Sequence, residues 1–251
     1  MTIRVAVVGA TGRMGALVSR IIEESDDFEL AAGIGSKGEL ADILDADAVV
    51  DVSLPAASPR VVDFAVEHGL DVLVGTSGWT SERIAAVEAK VAAKAAAGSE
   101  VGVIIVPNFS LGSVLATRFA ATAARFFDSI EVIEAHGSSK IDSPSGTAIR
   151  TAELMAAERT AAGQGLVAAP HTDQRARGEQ VAGIPVHSIR LQGVVAKQDV
   201  LFGGTGEVLT LSHETLSPAA YEAGILLALR ALPTASGVTV GLDSLLGFGE
   251  S

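Results

Sequence analysis

Residues 3–9, I-R-V-A-V-V-G, are a near-continuous apolar run at the head of the chain. A parallel strand buried on both faces reads this way. Similar runs predict strands at 28–34, 47–53, 71–74 and 101–106. Between them the apolar positions take helical spacing, predicting helices at 12–24, 58–68 and 80–97. In the first of these, Met14, Leu17, Val18, Ile21 and Ile22 share one face. Thr80-Ser81-Glu82-Arg83 reads as a helix start whose capping-box acid comes one position early. Alternation of this kind implies βαβ units around a parallel sheet, with ligands at the loops that follow the strands. Those loops carry G-A-T-G-R-M-G at 9–15, G-S-K at 35–37, S-L-P at 53–55 and G-T-S-G at 75–78.

After Pro107-Asn108-Phe109 the pattern changes. A helix is predicted over 110–126, and a strand over 129–135 delivers His136 at its end. A second helix follows from about 145 to 161. Residues 162–183 are rich in Gly, Ala, Pro and charge and read as a long surface loop. Strands at 185–192, 196–202 and 206–213 come next, with Gly203-Gly204-Thr205-Gly206 as a hairpin turn. This block is predicted to be an α+β domain with an open, mixed and mostly antiparallel sheet. An amphipathic helix over 217–231 and a tail to 251 complete the chain.

The densest chemistry lies in Glu134 to Ala148, E-A-H-G-S-S-K-I-D-S-P-S-G-T-A. His136, whose ring titrates near neutral pH, and Lys140, a fixed cation, stand four apart. D-S-P-S-G-T reads as a loop feeding a helix: Asp142 or Ser143 caps it, Pro144 suits its first turn, and Gly146 leaves backbone amides exposed. Amides at a helix start bind carboxylates and phosphates. An acid, a cation and an anion cradle in one segment suit reduction or protonation of an acidic substrate. At the N-terminus, Gly9, Gly12 and Gly15 are spaced G-x-x-G-x-x-G after a strand. They let the turn close, the backbone approach a pyrophosphate and the next helix pack tightly.

Composition narrows the choice. The 251 residues suit one large or two modest domains, and hydrophobic residues, 48% of them, are enough for a full core. The absence of cysteine excludes disulfides, thiolate metal sites and cysteine nucleophiles, and no metal is expected. A net charge of −12 argues against nucleic acid or an anionic membrane as partner, so an anionic ligand needs a local cationic pocket. A strand beginning at residue 3 leaves no room for a signal peptide, and no 18-residue apolar run is free of polar interruption. A cytoplasmic location is expected.

Together G-A-T-G-R-M-G at 9–15, G-T-S-G at 75–78, P-N-F-S-L-G at 107–112, the central segment, V-H-S-I-R-L-Q-G at 186–193 and V-L-F-G-G-T-G-E-V-L-T-L-S-H at 200–213 span nearly the whole chain. In this order they resemble the dihydrodipicolinate reductase family. The resemblance implies NAD(P)H-dependent reduction of 4-hydroxy-tetrahydrodipicolinate, a small dicarboxylate on the route to diaminopimelate and lysine. It implies a discontinuous Rossmann-like dinucleotide-binding domain, 1–107 with 217–251, and a substrate-binding and tetramerisation domain, 108–216, in a homotetramer. By the same resemblance His136 is the general acid and Lys140 orients the substrate. Ser145, Gly146 and Thr147 hold a substrate carboxylate, beside Gly137. The cofactor falls to Gly9, Thr11, Gly12, Arg13, Met14 and Gly15 in the first turn, and to Gly35, Ser36 and Lys37 after the second strand. Gly75, Thr76 and Ser77, with Pro107, Asn108 and Phe109, belong to the nicotinamide side.

Two positions depart from the family pattern. Gly137 stands where a second histidine usually follows the catalytic one. Gly35-Ser36-Lys37 stands where NAD-preferring members carry an acid for the adenosine ribose. Without that acid a 2′-phosphate is not repelled, and Ser36 and Lys37 are placed to bind it. NADPH is therefore expected to serve at least as well as NADH. Elsewhere His187 and His213 lie on apolar strands and read as structural. His68 and His171 read as surface residues, Trp79 as packing and Asp51 as a turn residue. A short-chain dehydrogenase would need Tyr-x-x-x-Lys, but the only tyrosine, Tyr221, is followed four later by Ile225. A dinucleotide-binding redox sensor would need neither His136 nor Lys140, and a reductase of another cyclic imine or dicarboxylate remains open through Gly137.

Overall fold

The structure is a computed structural model and describes residues 2–248. Met1 and residues 249–251, which the sequence reading gave to the first domain, lie outside them. The chain opens with β1 (Ile3–Val8), α1 (Arg13–Glu23), β2 (Phe28–Ile34), β3 (Ala48–Asp51), α2 (Ser58–Glu67), β4 (Asp71–Val74), α3 (Ser81–Ala96) and β5 (Gly102–Ile105). It continues with α4 (Leu111–Ala123), β6 (Ser129–His136), α5 (Gly146–Ala161), β7 (Glu179–Val181), β8 (Ile184–Arg190), β9 (Ala196–Gly204) and β10 (Glu207–Thr215). It closes with α6 (Glu222–Ala231) and β11 (Gly237–Val240). These elements form two compact units: residues up to Phe109 together with those from Tyr221 on, and Ser110–Ala220 between them.

The first unit is built on a six-stranded parallel sheet in the order β11-β5-β4-β3-β1-β2. All four residues of β3 and of β5 are buried, as their unbroken apolar runs require. Each fully buried valine or isoleucine here contributes about 1.5–3 kcal/mol. The strand order reverses between β1 and β3, so the loops after these two strands flank a crevice at the carboxyl edge. α1 packs with α6 and α2 with α3. The sixth strand was not foreseen: 237–240 fell in the expected tail, yet G-V-T-V pairs with β5 from Gly237↔Gly102 to Val240↔Ile105. Gly224 makes the return of the chain possible. A Cβ there would lie 1.9 Å from the Phe109 carbonyl oxygen, so only glycine lets α6 seat this closely.

The second unit is a five-stranded mixed sheet, β10-β9-β6-β8-β7, in which only β6 and β8 run parallel. Ile130 and Val132 on β6, Ile184 and Val186 on β8 and Val200 and Phe202 on β9 point to one face and pack with Ala120, Ala148, Ala152 and Met155 of α4 and α5. The segment read as one long loop, 162–183, instead ends in a short 3-10 turn at 175–177 and the edge strand β7. β7 and β8 meet in a two-residue turn at Ala182 and Gly183, with φ of 50° and 81°. Both central residues being left-handed matches the hairpin turn that suits strand twist. The last helix also starts later than 217, because Pro218–Tyr221 form a 3-10 turn ahead of α6.

Candidate active site

In the first unit, Gly9 follows β1 with φ of +93°, and a Cβ there would lie 2.5 Å from the Val52 carbonyl oxygen just beyond β3. A Cβ on Gly15 would lie 2.1 Å from the Gly9 carbonyl oxygen. The turn and α1 therefore pack backbone to backbone, which leaves room for a phosphate above them. Gly12 is the N-cap of α1 and supplies no side-chain hydrogen bond to the first turn. The amides there keep their pull on an anion. Thr11, Gly12 and Arg13 are exposed at this turn, while Met14 is half-buried.

Beside it lies an open groove of about 560 Å³ lined by Thr11, Gly33, Gly35, Ser36, Lys37 and Asp42, among others. Ser36 and Lys37 are exposed on its rim, and Asp42 is held back by accepting the Glu39 amide at 3.2 Å. This arrangement fits a dinucleotide: backbone for the pyrophosphate, a groove for the adenosine and a lysine beside it. The loop after β4 is tightly packed. A Cβ on Gly75 would meet the Phe109 ring at 2.6 Å, so the Phe109 side chain is buried behind this loop and does not line open space. Thr76 is buried and donates to the Asp51 carbonyl oxygen at 3.2 Å, while Ser77 and Pro107 are exposed. Asp51 itself is fully buried and organises the turn after β3. It accepts from the Ser53 amide at 3.1 Å and from the hydroxyls of Ser53 and Ser58, and Trp79 donates to Ser58 at 3.1 Å.

In the second unit β6 ends at His136. The lysyl amide of Lys140 donates to the Gly137 carbonyl at 3.1 Å, closing a tight turn, and Lys140 Nζ pairs with Asp142 at 2.8 Å. That hydrogen bond from Lys140 holds the Asp142 carboxyl below its usual range. α5 then begins, capped not by Asp142 or Ser143 but by Ser145, whose hydroxyl accepts the Ala148 amide at 3.3 Å. Pro144 precedes the cap and does not enter the first turn. Gly146 is exposed with open space where a Cβ would stand. A Cβ on Gly137 would lie 3.2 Å from the Val194 carbonyl oxygen, so the loop after β8 closes over this glycine.

Glu134 and Arg190, assigned no role from the sequence, complete the network around His136. Glu134 is fully buried, accepts His136 Nδ1 at 2.6 Å and is gripped by both terminal nitrogens of Arg190 at 2.9 Å. An ionised carboxylate only accepts, so Nδ1 of His136 carries the proton and Nε2 is left outside the network. Strand alternation signals Glu134, two residues before His136 on the same face. Nothing local signals Arg190, which arrives through the parallel pairing His136↔Arg190. Three other histidines have structural partners: His187 with Glu131 at 2.7 Å, His213 with Ser110 at 3.2 Å and His68 with the Phe64 carbonyl at 2.8 Å, while His171 is exposed. Burial pushes the His213 pKa down. Among the described residues no cluster suited to a metal occurs and no helix is long and apolar enough to cross a membrane.

Comparison with known proteins matches residues 3–109 to the family description "Dihydrodipicolinate reductase, N-terminus" and residues 112–246 to "Dihydrodipicolinate reductase, C-terminus". A 4-hydroxy-tetrahydrodipicolinate reductase of Clavibacter sepedonicus is 68% identical over 98% of this chain and 87% of its own length. One from Streptomyces griseus is 45% identical over 97% and 98%. Among solved structures, a dipicolinate-bound dihydrodipicolinate reductase from Paenisporosarcina sp. TG-14 aligns with a TM-score of 0.81 at 29% identity, covering 97% of this chain and 99% of that one. Sequence matches in both halves and a shared fold along the whole length lead to one conclusion: the chain belongs to the dihydrodipicolinate reductase family.

Proposed function

We propose that this chain reduces 4-hydroxy-tetrahydrodipicolinate to tetrahydrodipicolinate in the diaminopimelate route to lysine, with His136 as general acid and Lys140 orienting the substrate. The observation that carries the reading is His136 at the end of β6, its Nδ1 tied to Glu134 at 2.6 Å, in the segment that also brings Lys140 and the start of α5. The conversion takes up one hydride and one proton and releases one water. When bound, NAD(P)H supplies the hydride. Lys140 and the first turn of α5, through Ser145, Gly146 and Thr147, hold substrate carboxylates, and Nε2 of His136 gives the proton. In the first unit, Gly9, Gly12 and Gly15 admit the pyrophosphate. Arg13 and the first-turn amides bind it, Thr11 and Met14 flank it, and the Gly75–Ser77 and Pro107–Phe109 loops form the nicotinamide side.

The first unit is on this reading the dinucleotide domain and the second the substrate and assembly domain. On the sheet face opposite α4 and α5, Ile189 and Val208 are exposed. Apolar side chains on an uncovered sheet face support a homotetramer built through this domain, and sedimentation equilibrium would read four copies. The enzyme works in the cytoplasm, among its dinucleotide and amino-acid precursors.

Turnover in a coupled assay, with dihydrodipicolinate synthase generating the unstable substrate from pyruvate and aspartate semialdehyde, tests the function. Oxidation of NADPH and NADH only when both precursors are present supports it. Cofactor binding without turnover would instead support a diverged reductase, with Gly137 under the Val194 carbonyl as the site of divergence.

NADPH is the preferred cofactor, because Ser36 and Lys37 line the adenosine groove without an acid in the 35–37 loop. Gly35→Asp shifts the ratio of kcat/KM for NADPH and NADH by about tenfold toward NADH, or about 1.4 kcal/mol. The new Cβ would press on Thr11 Cγ2 at 2.9 Å, but that affects both cofactors and cancels in the ratio. An unchanged ratio would refute 2′-phosphate binding at this loop.

A further inference from the structure

Glu134 does more than accept one hydrogen bond from the ring of His136. Its Oε2 accepts His136 Nδ1 at 2.6 Å and Arg190 Nη1 at 2.9 Å, and its Oε1 accepts Arg190 Nη2 at 2.9 Å and the Ser145 amide at 3.2 Å. A single buried carboxylate thus binds the proton donor, strand β8 and the residue that caps α5. We propose that Glu134 is a positioning residue for the reduction: it fixes the proton on Nδ1 of His136, so that Nε2 alone serves as the acid, and it holds the Ser145 end of the carboxylate-binding turn in the same frame. This rests on the assignment of His136 as general acid.

Three physical facts support it. Burial pushes the Glu134 carboxyl toward its neutral form, but hydrogen bonds from Arg190, Ser188 and His136 outweigh burial and hold it below its ordinary range. It therefore stays ionised at neutral pH and can only accept. Arg190 also keeps the proton where it is useful, since without a cation a buried carboxylate beside an imidazole would be pushed toward taking the proton itself. Finally, a flip of the ring would put Cδ2 against Oε2 and remove a donor from a fully buried charge, which disfavours the flipped ring. When Nε2 gives its proton to the substrate, the imidazolium becomes neutral imidazole with Nδ1–H retained. Glu134 remains ionised throughout, and solvent returns the proton to Nε2.

The test begins with the unaltered protein. NMR of isotope-labelled histidine, assigned by comparison with His136→Ala, reads which ring nitrogen of His136 carries the proton in the neutral form. A proton on Nδ1 is the expected result; a proton on Nε2 with Nδ1 bare overturns the proposal. The second arm is a double-mutant cycle. Glu134→Gln lowers kcat by about 10²-fold in the native background, because the amide offers one acceptor oxygen to groups that need two. In the His136→Ala background the same change lowers kcat by less than about threefold. An equal loss in both backgrounds means that Glu134 does not act through His136. If Glu134→Gln fails to fold, the NMR result on the native protein decides. An undiminished kcat in His136→Ala alone would remove the general acid instead, so the two failures are distinguishable.

Discussion

His136→Ala is expected to lower kcat by about 10²-fold or more, read as the maximal rate of NADPH oxidation in the coupled assay. The loss belongs to the proton step, because the alanine variant must take its proton from water. Substrate affinity falls less, since Lys140 and the first turn of α5 are untouched. Nor does the change strand a buried charge. Glu134 loses the His136 donor but keeps both Arg190 nitrogens at 2.9 Å and the Ser145 amide at 3.2 Å, so the fold survives with a lowered thermal midpoint. An unchanged kcat would remove His136 from the chemistry.

Lys140→Ala is expected to damage binding and turnover together, with kcat/KM falling by about 10²-fold, or about 2.7 kcal/mol. Lys140 faces Asp142 at 2.8 Å, with side-chain exposures of 29% and 58%. A pair this open contributes at most about 1 kcal/mol to folding, so the variant remains folded. The turn is also kept, since the bond from the Lys140 amide to the Gly137 carbonyl belongs to the backbone. A substrate carboxylate competes with Asp142 for the same ammonium. Asp142 is a carboxylate in the neutral range, and the hydrogen bond from Lys140 holds its pKa lower still. A loss confined to thermal stability, with kcat/KM intact, would make Lys140 a surface lysine.

How legible the chain is depends on how local each signal is. β3, β5 and the last four residues of β1 are buried on both faces, and their apolar runs are visible without knowledge of any partner. β11 has only four residues and owes its existence to β5, far away in sequence. β7 has three residues, two of them Glu179 and Gln180, and its Ala182-Gly183 turn lacks the Asn-Gly signature of a tight hairpin. At the start of α5, three neighbouring residues are good caps, and composition alone cannot choose Ser145 over Ser143 or Asp142. In the candidate site, His136 and Lys140 share one segment and are visible together. Arg190 is placed by strand register, and the burial that gives Glu134 its role exists only once α5 has packed over β6.

Gly224 against the Phe109 carbonyl and β11 against β5 tie the last stretch of the chain to its first hundred residues. A ribosome makes the chain from the other end. All of Ser110–Ala220 is synthesised before α6 and β11 exist, so the middle unit can close while the first still lacks an edge strand and a covering helix. Until then β5 shows an unpaired edge of buried-type residues, Gly102–Ile105, the kind of surface that invites mispairing. The first part of this protein to be translated is the last to be finished.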